Sequence, residues 1–305
     1  MTSETIADPE GQSGTAAARP QAMPSSKTHP IADIAVHLSG GPDDEAKLAY
    51  AETIASAFDA HLDCFLANLV PSTAIPIGPG SDWLIAEIWK NAEAAGDRFE
   101  TALRERMGRL APQANLRRTD GLIRDLAIAA ARLARTSDLF VISQPSDQLD
   151  QSGDMLEAVL FEAGVATLIV PNAPSAPLRA PRTVVVGWRD TRECSHAIAA
   201  ALPFMVRAEA VHLVSVTEDA SDEERHLLPA SDMARHLARH GVKVEIRNVP
   251  QWHHPAAGLL NEATVLGADL LVCGAYGRSR FREMIFGGVT RELLQSSPYP
   301  ILMAH

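Results

Sequence analysis

From residue 182 onward, short and almost wholly apolar runs alternate with longer stretches in which apolar residues recur every three or four positions. The runs near 182–188, 210–216, 242–248, 269–273 and 300–304 read as strands, and the segments near 191–206, 230–240, 255–266 and 289–297 read as the helices between them. Polar and apolar residues do not alternate within the strands, which is the pattern of a parallel sheet covered by helices on both faces. Arg239-His240-Gly241 reads as a helix end, with cations on the last turn and glycine just past it.

The same pattern occurs earlier in the chain. Ala35-Val36-His37-Leu38 is answered 150 positions later by Val185-Val186-Gly187-Trp188, and Ala60-His61-Leu62 by Ala210-Val211-His212 at the same offset. Asp138-Leu139-Phe140-Val141 is answered by Asp269-Leu270-Leu271-Val272 only 131 positions on, so the first copy carries the longer middle. Strands alternating with helices, twice over, predict an α/β fold of two doubly wound parallel-sheet units of about five strands each, with flavodoxin-like layering. The expected units are 31–171 and 182–305, joined by a Pro-rich linker at 172–181 that is extended and stiff. Residues 1–30, rich in Ala, Ser, Thr, Pro and Gly, read as a disordered tail.

Charge and cysteine usage narrow the possible partners. A formal net charge of −11 argues against nucleic acid or an anionic membrane surface as the main partner. No apolar run approaches the roughly 18 residues needed to span a bilayer. Cys64, Cys194 and Cys273 are scattered with no paired spacing, which suits a reducing, cytoplasmic setting.

Candidate chemistry gathers between Gly274 and Thr290. Gly274-Ala275-Tyr276-Gly277 follows the fourth strand of the second copy, Arg278 to Phe286 intervene, and Gly287-Gly288-Val289-Thr290 opens the next helix. Strand, glycine loop and helix start form a layout that receives phosphate: glycines admit the anion close to the backbone, and the unpaired N–H groups of a first helical turn favour negative charge. On these residues, and on the closing Ser297-Pro298-Tyr299-Pro300-Ile301-Leu302-Met303, the second copy resembles the universal stress protein family. The first copy resembles it by architecture more than by motif.

That resemblance implies an adenine nucleotide alpha hydrolase-like fold and a regulatory, stress-response module that holds ATP, with Mg²⁺, in its second copy without strong catalysis. It implies contacts from Gly187, Trp188 and Arg189 after the first strand and from Val216 at the end of the second. Further contacts fall to Gly274, Gly277 and Arg278 in the loop and to Gly287, Gly288, Val289 and Thr290 at the helix start. Two positions depart from the family pattern. Gly288 replaces the usual Ser or Thr; it keeps its N–H and loses a hydroxyl contact worth roughly 1 kcal/mol. Arg189 stands where the family has an Asp for the ribose, and Arg offers donors only. The alternative is a nucleotide-free interaction scaffold whose pocket Trp188 and Arg189 fill.

In the first copy Ser143 and Ser146 stand at the glycine positions, Glu157 near that of Thr290, and Ser39 at the Asp position. This copy is read as a nucleotide-free, built-in partner. The resemblance further implies that Leu168-Ile169-Val170 and Ile301-Leu302-Met303 meet in an intrachain pseudo-dimer. A homodimer of chains is left open, and the regulatory protein partner is not named by any motif.

Other signals have plainer readings. Arg278, Arg280 and Arg282 alternate with apolar anchors as in a solvated loop, with Arg278 the exception beside Gly277. His236 and His240 share a helix face with Arg235 and Arg239, a cation cluster at a helix end rather than a metal site. His253-His254 precede Pro255 as a turn before a helix, and Gly78-Pro79-Gly80 lacks the third glycine of a dinucleotide fingerprint. Cys194 opens a helix, where a thiolate would be stabilised, yet a lone Cys there is ordinarily structural.

Overall fold

The computed structural model describes residues 31–71, 81–145, 152–174, 176–217, 220–250, 254–275 and 288–305. The first half runs β1 (Asp33–Leu38), α1 (Asp44–Phe58), β2 (His61–Leu69), α2 (Ser81–Met107), β3 (Ala114–Gly121), α3 (Ile123–Ala134), β4 (Leu139–Ser143), α4 (Ser152–Glu157) and β5 (Thr167–Val170). A π-helical turn, Ala158–Ala163, continues α4. The second half repeats the order as β6 (Thr183–Gly187), α5 (Arg192–Arg207), β7 (Ala210–Thr217), α6 (Ala220–Arg239), β8 (Val244–Pro250), α7 (Pro255–Leu266), β9 (Leu270–Gly274), α8 (Gly288–Ser296) and β10 (Ile301–Ala304).

All ten strands join one sheet in the order β3-β2-β1-β4-β5-β10-β9-β6-β7-β8. Neighbours within each half are parallel, and the halves meet at the antiparallel pair β5–β10. Ile301 lies opposite Ile169, Leu302 opposite Leu168 and Met303 opposite Thr167, so the two segments expected to meet do pair. Because the seam is antiparallel, the carboxyl ends of the strands in the two halves lie at opposite edges of the sheet.

The repeated Asp before the fourth strand has a physical reason. Asp138 Oδ2 accepts from the N–H groups of Ala32 and Asp33 at 2.8 and 3.0 Å. Asp269 Oδ2 does the same for Arg182 and Thr183, each at 3.0 Å. Each carboxylate thereby ties down the entry to the first strand of its half, whose N–H groups would otherwise lack partners. Asp269 Oδ1 also accepts from Arg179 Nε at 2.8 Å, and Leu178 packs on the core, so the Pro-rich stretch is pinned to the second half.

Helices α1, α2, α5 and α6 cover one face of the sheet, and α3, α4, α7 and α8 cover the other. Both apolar cores run across the seam: Leu168 and Leu302 lie in one, Ile169 and Ile301 in the other. At the far ends of α1 and α5, the rings of Phe58 and Phe204 meet edge to face at 5.2 Å. The Arg207 guanidinium sits 4.2 Å from the centre of the Phe58 ring and donates to the Ala57 carbonyl. No helix among the described residues is long and apolar enough to cross a membrane.

Candidate functional site

In the second half, β6, β7 and β8 lead away from the middle strand in one direction and β9 and β10 in the other. The connections leaving β6 and β9 therefore pass to opposite faces of the sheet, and a crevice opens at their carboxyl ends. Ligands of doubly wound sheets bind at such a switch point.

Gly187 ends β6 on the face covered by α7, where a Cβ would stand 2.7 Å from Leu259 Cδ2. On that same face Val216 at the end of β7 and Val289 in the first turn of α8 pack against the core. Trp188 points to the opposite face, buried at 4% exposure in the core beneath α5, and its indole Nε1 has no hydrogen-bond partner among the described residues. Arg189 and Asp190 are exposed.

Gly274 is packed rather than open. A Cβ there would lie 2.6 Å from the backbone N of Cys194 and 2.7 Å from the carbonyl carbon of Glu193. The first turn of α5 thus rests on the end of β9, and only glycine admits that approach. Thr191 caps this turn, its Oγ1 accepting from Cys194 N at 3.3 Å. Cys194 Sγ is 3.5 Å from the Gly187 carbonyl. Burial pushes the Cys194 thiol up to about 11, against the opposing pull of hydrogen bonds from the N–H groups of Arg189 and Gly274. Burial wins over the helix start.

Gly288 begins α8 with no described residue within 4 Å of the place its Cβ would take, while Thr290 is buried. Gly277, Arg278 and Gly287 lie outside the described residues, as do His253 and Gly78-Pro79-Gly80. The remaining sequence-predicted residues fall around the crevice but on two faces: Gly187, Val216 and Val289 toward α7 and α8, Trp188 and Gly274 toward α5.

Sequence reasoning missed the base of the glycine loop. His305 Nδ1 is 3.0 Å from the Ala275 carbonyl, and His196 Nδ1 is 3.0 Å from the His305 carbonyl. The His305 ring meets Phe161 of the first half edge to face at 4.6 Å. Only the sheet seam brings these residues together, so no local motif signals them. A cleft of about 350 Å³, lined by Gln144, Asn172, Gln295 and Ser297, lies at the other end of the seam, away from the crevice. Gln144 crosses it, donating to the Ser297 carbonyl and accepting from Asn172 N, both at 3.3 Å.

The corresponding place in the first half is closed. His37, in the position of Gly187, is buried at 1% exposure. Gly40 has φ +76 and a Cβ there would fall 2.4 Å from the Phe99 ring, so α2 lies directly on the β1–α1 loop. The carboxylate of Asp44 takes the N–H groups of Ser39 at 3.0 Å and Gly40 at 2.7 Å, and it pairs with buried Lys47 at 3.1 Å. Ser143 ends β4 and Glu157 ends α4, whereas Ser146 lies outside the described residues.

The sequence model of the universal stress protein family matches residues 181–305. The second half is a universal stress protein domain. No curated protein matches the chain. A universal stress protein from Archaeoglobus fulgidus superposes with a TM-score of 0.66 at 13% identity, covering 89% of this chain and 97% of that one. A protein of unknown function from Pseudomonas aeruginosa superposes at 0.55 and 15% identity, covering 91% and 93%. At these identities the likeness is one of fold: the universal stress protein architecture in two consecutive copies.

Proposed function

We propose that the second half holds an adenine nucleotide, ATP with Mg²⁺, in the crevice between β6 and β9, and that the chain is a regulatory binding module rather than a catalyst. The observation that carries this reading is the start of α8, where Gly288 stands clear of every described residue at the first turn, with Thr290 just behind it. A phosphate there meets unpaired N–H groups and the favourable end of the helix dipole. Gly277, Arg278 and Gly287 complete the phosphate contacts, and Gly187 and Val216 line the base. Trp188 is folded beneath α5 and leaves the crevice, and Arg189 is exposed rather than packed into it. Exposed Asp190 supplies the ribose acceptor that Arg189 lacks. A cysteine held as a thiol at neutral pH supplies no nucleophile, which favours binding over turnover.

In this reading residues 31–171 are the built-in partner, with His37 and the Asp44–Lys47 pair occupying the space and the N–H groups a nucleotide would use. One observation favours the nucleotide-free scaffold instead: the glycine at 274 is fully accounted for by the close packing of α5.

Calorimetry on nucleotide-stripped full-length chain, titrated with ATP at millimolar Mg²⁺, separates the two. Uptake at one site per chain, lost in Gly277→Asp, is the expected result. No uptake up to millimolar ATP overturns the nucleotide reading and leaves the scaffold.

A further inference from the structure

Helix α2 is too long for the sheet it covers. Its 27 residues extend about 40 Å at 1.5 Å each. Strand β2, with 9 residues, spans only about 30 Å. The excess projects past the carboxyl ends of β2 and β3, where the first buried residue of the helix is Ala92. Beyond it Trp83 is 67% exposed, Ile85 41% and Trp89 44%. Two exposed tryptophans on one solvent-facing helical segment mark an interaction surface rather than ordinary surface scatter.

The sequence of that segment, Asp82-Trp83-Leu84-Ile85-Ala86-Glu87-Ile88-Trp89-Lys90, nearly mirrors itself about Ala86. Trp83 is reflected onto Trp89, Leu84 onto Ile88 and Asp82 onto Lys90. At 100° per residue, Asp82, Trp83, Trp89 and Lys90 all fall within about 60° of Ala86 around the helix axis. A two-fold axis through Ala86, crossing two antiparallel copies, sets each Trp83 against the partner's Trp89. It also sets each Asp82 against the partner's Lys90. A small residue on the axis lets the backbones approach, and the charges are complementary twice over, as an isologous contact requires.

We propose that two copies of this chain associate through the projecting ends of α2, antiparallel and centred on Ala86. The contact is confined to one projecting helical segment from each chain, so a weak association is expected, with a dissociation constant on the order of micromolar to millimolar. It joins the chains at the carboxyl edge of the first half, opposite the crevice of the second, and it does not depend on nucleotide binding.

Sedimentation equilibrium of the full chain from about 1 µM to 1 mM tests it, over the range the small contact implies. A reversible monomer–dimer equilibrium is expected, lost in Trp83→Ser/Trp89→Ser. Asp82→Lys places Lys against Lys at both ends and weakens the dimer about tenfold or more. Adding Lys90→Asp restores complementarity and brings the affinity back to within about threefold. All four positions are exposed, and unchanged circular dichroism shows that each variant is folded. A monomer at every concentration overturns the proposal, as does a dimer indifferent to Asp82→Lys. A double charge swap as weak as the single one overturns the antiparallel register.

Discussion

Cys194 stands in the second half where Asp44 stands in the first, 150 positions apart, and each side chain holds the end of the first strand of its half: Asp44 accepts the N–H groups of Ser39 and Gly40, and Cys194 Sγ lies 3.5 Å from the Gly187 carbonyl. One half meets this requirement with a carboxylate and a buried lysine, the other with a thiol and Ala197. The carboxylate needs Lys47, because a buried charge without a counter-charge is costly.

Lys47→Met should therefore destabilise the chain by about 3–5 kcal/mol, since it leaves Asp44 buried and unpaired. Asp44→Cys together with Lys47→Ala copies the second half and should cost much less than the single change. Urea unfolding of the three proteins checks the order, and a double variant as unstable as Lys47→Met alone refutes the equivalence.

Alkaline pH should destabilise the fold through its buried thiols. Cys194 is pushed from an ordinary value near 9 up to about 11, and Cys64 up to about 12, both chiefly by burial. Tyr50 shifts upward as well, by burial and then by the charge of Asp269. As pH rises past 9 the unfolded chain loses its thiol protons first, so it binds fewer protons than the folded chain and stability falls. The loss from Cys194 runs from about pH 9 to 11 and approaches roughly 1.4 kcal/mol per unit. Urea midpoints at pH 8 and pH 10.5 should converge in part in Cys194→Ala.

The two described glycines at the ends of the loop should respond in opposite ways. Gly274→Ala drives a Cβ into the backbone of Glu193 and Cys194 and should cost about 1–3 kcal/mol, visible in thermal unfolding without ligand. Gly288→Ser meets no described residue and leaves stability unchanged or slightly raised. It also restores a hydroxyl beside the phosphates, so ATP should bind about fivefold more tightly, the equivalent of roughly 1 kcal/mol. Equal ATP affinity in Gly288→Ser and the parent chain would remove this residue from the site.

Much of the architecture was legible because it rests on repeated local patterns. The apolar runs fixed the strands of the second half to within two residues, and the repeat of Asp138 in Asp269 marked two carboxylates with the same task. The β5–β10 pairing came from the family resemblance, and its register was not legible because neither strand carries a register signal. Packing across faces was not legible. Gly274 looked like a phosphate glycine, yet its neighbours are Glu193 and Cys194, eighty positions away. The Asp44–Lys47 pair was not legible at all, because its burial is set by the whole fold and not by a local pattern. His305 against Phe161 exists only because the seam joins the halves.

Arg189 offers the sharpest test of how a nucleotide would lie in the crevice. It is exposed beside Asp190, and a guanidinium cannot accept from ribose hydroxyls. If the ribose lies over the end of β6, Arg189→Asp adds a second charged acceptor beside Asp190, a bond worth about 1.5–3 kcal/mol. ATP affinity, followed by calorimetry, should then rise about tenfold to a hundredfold, less the repulsion of a second carboxylate beside Asp190. Adenosine, which keeps the ribose and has no phosphates, should gain by a similar factor. The opposite result, weaker ATP binding with adenosine unaffected, would show Arg189 reaching the phosphates and the nucleotide lying the other way round. Comparing the two ligands is what decides, because a change of charge alone acts on ATP and leaves adenosine untouched.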